Sequence, residues 1–217
     1  MASPPVSRTV ANFPSMGSPQ SVRPPGRPPA ASREEVLAAA MHRYLRGRRV
    51  DLRAIASELG LGRATIYRWF GSREKLIGEV LFGAAEPLLA EARAKARGRG
   101  GAALLDTFDR FNRSLADAPA LRHFVEAERD AALRIITSGA GTLQPRIVAS
   151  IAELIEEEIR AGTYEPPIET STLAYAIVKL AEAFLFSDAV AGIRGDVDRL
   201  REVEAALLGV PAPRKRR

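Results

Sequence analysis

The sequence contains no cysteine, which excludes a disulfide framework, a thiolate nucleophile and any metal held by thiolates. That absence suits a reducing compartment, and the cytoplasm is the expected location. Histidine is nearly as scarce. His42 and His123 are the two present, too few for the Glu-x-x-His motifs that bundle metal enzymes draw from several helices. No phosphate loop or zinc spacing occurs either. No cofactor, metal or catalytic residue is therefore expected. No apolar run approaches the roughly 20 residues that cross a bilayer, and the start of the chain lacks the apolar stretch of a signal peptide, so neither export nor a membrane partner is expected. Two-residue alternation of apolar and polar side chains is not sustained anywhere, which argues against a sheet.

What is present is a 217-residue chain with 46% hydrophobic residues, enough to bury a core. Its net charge of +6 points to a polyanionic partner. The charge is unevenly spread. Residues 1–80 hold 13 Lys and Arg against 6 Asp and Glu, residues 81–210 hold 15 against 20, and Arg214, Lys215, Arg216 and Arg217 end the chain. Residues 1–31 carry 8 of the 15 prolines and read as a disordered arm. With Arg8, Arg23 and Arg27 and no acid, that arm suits a phosphate backbone or a minor groove, and equally a solvated tail.

From Ser32 onward the pattern is helical. Ser32 and Glu35 have capping-box spacing, and Val36, Leu37, Ala40, Met41, Tyr44 and Leu45 recur on one face before Gly47. Asp51 is placed to cap a short second helix ended by Gly60. A third helix follows at about residues 63–70, and Ser72 is placed to cap a longer one running toward Arg97, with a kink expected near Gly83 because Pro87 lies inside it. Further helices are expected at about 102–117, 119–137, 144–161, 169–191 and 197–208. The fold class is all-α, with about nine helices.

The segment from Val50 to Phe70 joins two helices of eight or nine residues by the turn Gly60-Leu61-Gly62, which is helix-turn-helix spacing. Leu52, Ile55, Ala56, Leu59, Leu61, Ile66 and Phe70 fall on the inward side. Arg63, Ala64, Thr65, Tyr67 and Arg68 are left on the outward side of the second helix. A short basic face of this kind fits the major groove, where Arg63 or Arg68 can pair with guanine and Ala64 can approach a thymine methyl. Tyr67 and Trp69 are also residues that the core of a small three-helix domain would use, and Arg43, Arg46, Arg48 and Arg49 fit either phosphates or solvent.

The run from Leu52 to Leu76, with Ile55-Ala56, Leu59-Gly60, Thr65, Tyr67, Phe70, Arg73-Glu74 and Leu76, resembles the N-terminal signature of the TetR family of bacterial repressors. The resemblance implies a homodimer that binds double-stranded operator DNA through its first three helices, with the fourth linking the domains and the last two forming a four-helix interface. It further implies phosphate contacts from Thr65, Tyr67 and Arg73. Arg73 stands where the family usually has lysine, Gly62 where a serine or threonine cap is common, and Trp69 where histidine is common. The DNA-facing set is then Arg53, Arg63, Ala64, Thr65, Tyr67, Arg68, Trp69 and Arg73. The implied organisation is an arm over residues 1–31, a DNA-binding domain over 32–78, an effector-binding and dimerisation domain over 79–210 and a basic tail over 211–217.

For the effector, the resemblance implies a mostly apolar cavity with a few polar groups. Its expected lining is Phe108, Phe111, Asn112, His123, Glu126, Arg129 and Phe184. This half also resembles quorum-signal-degradation-type regulators within the family, which implies a lactone-like small molecule. For the dimer, Leu173, Ile177, Leu180, Ala181 and Phe184 on one helix and Leu200, Val203, Ala206 and Leu207 on the last make stripes suited to four-helix packing, or to the chain's own core. Two rival readings are a helical-bundle enzyme and a nonspecific basic DNA-packaging protein. The acidic run Glu153, Glu156, Glu157, Glu158 reads as a solvated face, which weakens the first, and a folded acidic remainder weakens the second.

Overall fold

A computed structural model describes residues 31–187 and 196–211. The expected N-terminal arm, the basic tail from residue 212 onward and the end of the helix expected to reach residue 191 lie outside the described residues. Within them the chain is all helical: α1 (Arg33–Leu45), α2 (Leu52–Glu58), α3 (Arg63–Phe70), α4 (Arg73–Lys95), α5 (Gly101–Asp117), α6 (Pro119–Ala127), α7 (Arg129–Thr137), α8 (Leu143–Arg160), α9 (Thr170–Glu182), which runs on as a π-helical turn over Ala183–Ser187, and α10 (Val197–Leu207). No strand occurs among the described residues.

The first helices start where local chemistry tells them to. The Ser32 hydroxyl accepts the Glu35 N–H at 3.2 Å and the Glu35 carboxylate accepts the Ser32 N–H at 2.6 Å, a reciprocal cap that satisfies two donors the helix cannot. Asp51 accepts the Arg53 N–H at 2.8 Å, and Ser72 accepts the Lys75 N–H at 3.1 Å. Gly60 takes φ +63°, the left-handed turn after α2 that a side chain would resist. Helix α4 runs unbroken across Pro87, which is exposed.

Two hydrophobic clusters make up the core. The first joins α1, α2, α3 and the first half of α4 to α6 and α7, with Val36, Ile55, Ile66, Leu76, Ile77, Phe124 and Ile135 buried together. The second joins the other half of α4, through Ala85, Leu89 and Ala92, to α5, α8, α9 and α10. Helix α4 therefore belongs to both, as does α8, whose Leu143 joins the first cluster and whose Ile151 joins the second. Where α4 meets the start of α8, a Cβ on Gly78 would sit 2.2 Å from the Thr142 hydroxyl, which itself donates to the Lys75 carbonyl at 3.1 Å; glycine is what allows that approach.

One element differs from expectation, and one takes in part the second of the two readings open to it. The helix expected over 119–137 is broken at Glu128, whose backbone leaves the helical region at φ −133°, ψ 46°. No glycine or proline marks the break; instead the Glu128 carboxylate meets Arg73 at 2.7 Å and Arg49 at 3.8 Å. The stripes expected at the dimer interface are also partly inside. Leu173, Ile177 and Leu200 are buried in contact with the chain's own helices, and Tyr175, Val203 and Ala206 are the apolar residues among those that α9 and α10 expose.

Candidate DNA interface and effector cavity

Helix α3 turns Ile66 and Phe70 into the first cluster, and a helical period then fixes what faces out. Arg63, Ala64, Tyr67 and Arg68 are exposed, as is Arg53 on α2. Tyr67 is 49% exposed, which removes it from the core. Thr65 is half-buried. Trp69 is half-buried and packs against the first cluster, so its ring serves packing. Around this face, Arg46, Arg48 and Arg49 are exposed, while Arg43 is tied to Glu58 at 2.8 Å.

Arg73, to which the resemblance assigns a phosphate contact, has partners within the protein. Its Nε donates to the Val50 carbonyl at 2.7 Å and its terminal nitrogen to Glu128 at 2.7 Å, so the guanidinium is engaged inside the protein between the α1–α2 loop and the α6–α7 break. A charge-assisted bond at a partly buried site is among the stronger polar contacts a protein makes. Local patterning holds no sign of this partner because Glu128 is 55 residues away.

A cavity of about 610 Å³ opens between the two clusters, within the range of small-molecule sites. Helix α4 lines it with Leu81, Ala84, Ala85 and Leu88, and α1 reaches it through Tyr44 and Leu45. Tyr44 is buried, packs edge-on against Phe124 at 6.4 Å, and burial pushes its hydroxyl up to about 12. Of the expected lining, Phe108, Phe111 and Asn112 stand in the wall. The other four do not. His123 faces a separate cleft against Gly47, and Glu126 and Arg129 are exposed, because α6 buries Leu121, Phe124 and Val125 instead and the Glu128 break turns α7 afresh. Phe184 is replaced in the wall by Leu185 and Phe186, since a π turn carries more residues per turn than the 3.6-residue period used to place it.

Sequence reasoning missed three buried polar residues of the wall: Gln144, Glu182 and Glu204. Glu182 is held by Gln144 at 2.6 Å and Lys179 at 2.9 Å. Glu204 is fully buried, and the Asn112 side-chain amide donates to its Oε1 at 3.0 Å. A signal for Glu204 existed: it lies four residues after Leu200 and four before Leu208, on the buried side of α10.

Residues 36–80 match the family described as bacterial regulatory proteins, tetR family, and residues 99–209, half of the chain, match the tetracyclin repressor-like C-terminal domain. The chain belongs to the TetR family. Among solved structures it is similar to the transcriptional repressor QsdR of R. erythropolis, at 27% identity and a TM-score of 0.80, covering 85% of this chain and 97% of that one. A TetR-family transcriptional regulator from Streptomyces coelicolor is also matched, at 20% identity and a TM-score of 0.42, covering 80% and 82%. No curated protein sequence matches the chain. As a TetR-family member it is a DNA-binding, ligand-responsive transcriptional regulator, and among the described residues no helix is long and apolar enough to cross a membrane.

Proposed function

We propose that the protein is a cytoplasmic repressor that binds a palindromic operator as a homodimer, with α3 of each protomer in the major groove, and lets go when a mostly apolar small molecule fills the cavity. The observation that carries this reading is the placement of α4. It begins three residues after α3 ends, supplies part of the first cluster, and then walls the cavity with four side chains. An occupant that binds two arrangements of α4 with different affinity shifts the population between them, and α3 moves with the helix it is joined to. Exposed Tyr175 on α9 and exposed Val203 on α10 are the side chains through which two protomers would meet.

The test starts from an operator selected out of random DNA by the full chain. Half-sites should lie about one helical turn, or a multiple of it, apart. Arg63→Ala should flatten base preference at one position of each half-site by about 1–3 kcal/mol while leaving the others intact. Equal weakening on every sequence would mean that Arg63 meets phosphates and that base reading lies elsewhere.

A further inference from the structure

The cavity wall is mostly apolar; of its polar side chains Arg113 and Asp117 are exposed to solvent, and among the buried ones all but one have their hydrogen-bonding atoms partnered within the protein. Glu182 has a partner on each carboxylate oxygen. Gln144 donates to both the Thr137 carbonyl, at 3.0 Å, and Glu182. Glu204 is different. It is fully buried, stands in the wall, and its Oε2 is the one buried side-chain polar atom among the described residues with no hydrogen-bond partner. An orphaned buried polar atom costs free energy that a folded protein does not ordinarily leave uncompensated, and the space beside this one is where a ligand fits.

We propose that Asn112 and Glu204 form the polar recognition point of the cavity, with the Glu204 acid O–H donating to a carbonyl oxygen of an otherwise aliphatic, uncharged ligand. The inference rests on the effector reading above and specifies the class of molecule. Three observations favour a neutral acceptor. The Asn112 N–H occupies Oε1, which leaves the acid proton to Oε2, the atom without a partner. Burial pushes the carboxyl up to about 8; the Asn112 hydrogen bond opposes this, Asp109 adds to it, and Arg201 opposes it, so at neutral pH the group carries its proton and presents a donor. Of the other charges on the packed elements, on α5 Asp109 lies 3.0 Å from Arg113 and 3.5 Å from Arg201 of α10 and Asp117 is exposed to solvent, on α9 Glu182 is paired with Lys179, and the π turn offers Leu185 and Phe186. A buried donor with apolar surroundings discriminates sharply for a ligand that satisfies it, because a ligand without an acceptor leaves it unpaired.

The experiment uses the full chain and displacement of the neutral fluorophore N-phenyl-1-naphthylamine by three probes of matched length: 2-nonanone, 1-chlorooctane and nonylamine. The quantity read is the ratio of ketone to chloroalkane affinity, which cancels the shared aliphatic contribution. Glu204→Gln keeps an acceptor for Asn112 and a donor in place of the acid O–H, so the ratio should stay within about twofold of the parent. Glu204→Leu should lower it about tenfold, roughly the worth of one hydrogen bond. In the parent the ratio should fall as pH rises from 6.5 to 9, and in Glu204→Gln it should not. That pH comparison stands even if the leucine variant does not fold. A ratio that is the same in all three proteins and at every pH, or failure of every probe to bind, overturns the proposal. So does tightest binding of nonylamine with its loss in Glu204→Gln, which would make the site a cation site. Release of a selected operator is measured in parallel. Ketone binding with the expected Glu204 dependence while DNA stays bound upholds the recognition point and sinks the effector reading. DNA release by probes that ignore Glu204 does the reverse.

Discussion

Glu204 leaves a mark on stability as well as on recognition. Its folded value of about 8 lies above the ordinary 4.5 because burial disfavours the charged form. Between those values the folded chain binds a proton that the unfolded chain has released, so the contribution is fully present below about pH 4.5 and is lost as pH rises through about 8. Each unit of difference is worth about 1.4 kcal/mol, so the fall is on the order of a few kcal/mol. Urea midpoints at pH 5.5, 7 and 8.5 should therefore decline in the parent relative to Glu204→Gln, and curves that run parallel would mean that the carboxyl is ionised or solvated in the folded state. Tyr44 is raised for the same reason, but its window lies at a pH where many other groups titrate.

At the scale of elements, the instructive position is the break between α6 and α7. Glu128 meets the Arg73 guanidinium, which also holds the Val50 carbonyl, so one arginine at the start of α4 ties the loop before the helix-turn-helix to the wall of helices behind it. Arg73→Ala and Glu128→Ala should each cost more than an exposed pair would, and a double-mutant cycle on denaturant stability should return a coupling of about 1–3 kcal/mol. Additive losses would mean that the two side chains act separately. The same pair marks the boundary of what local patterning reveals. The starts of α1, α2 and α4 were legible because Ser32, Asp51 and Ser72 act on donors within three residues, and the helix-turn-helix was legible because Gly60 acts on its own backbone. The break at Glu128 has no such neighbour; its cause arrives from α4. The outward face of α3 followed from a helical period anchored by Ile66 and Phe70. In the cavity the same period gave Phe108, Phe111 and Asn112 and then failed past Ala183, where the π turn shifts the register to Leu185 and Phe186. His123, Glu126 and Arg129 fall outside the wall because two helices stand where the spacing predicts one.

For the whole molecule, the arrangement of two clusters around a shared α4 makes the chain a lever only if something fixes its far end, which in the proposed homodimer is the second protomer. The buried members of the α9 and α10 stripes, Leu173, Ile177 and Leu200, are already used inside, so in the proposed dimer the contact between copies would fall on what remains outside. Tyr175 is 50% exposed and Val203 is 37% exposed, large apolar side chains that an isolated chain gains nothing by presenting to water. Tyr175→Glu combined with Val203→Glu should yield monomers by sedimentation while far-ultraviolet circular dichroism is retained, since neither residue belongs to either cluster. Operator affinity should then fall by about 10²–10⁴, because each half-site would be bound without the effective concentration that linkage supplies. Single half-sites should be bound as before. Dimers that persist in the doubly charged variant would place the contact on another face, and a loss of affinity for single half-sites would show that the substitutions disturb α3 through the fold rather than through the interface.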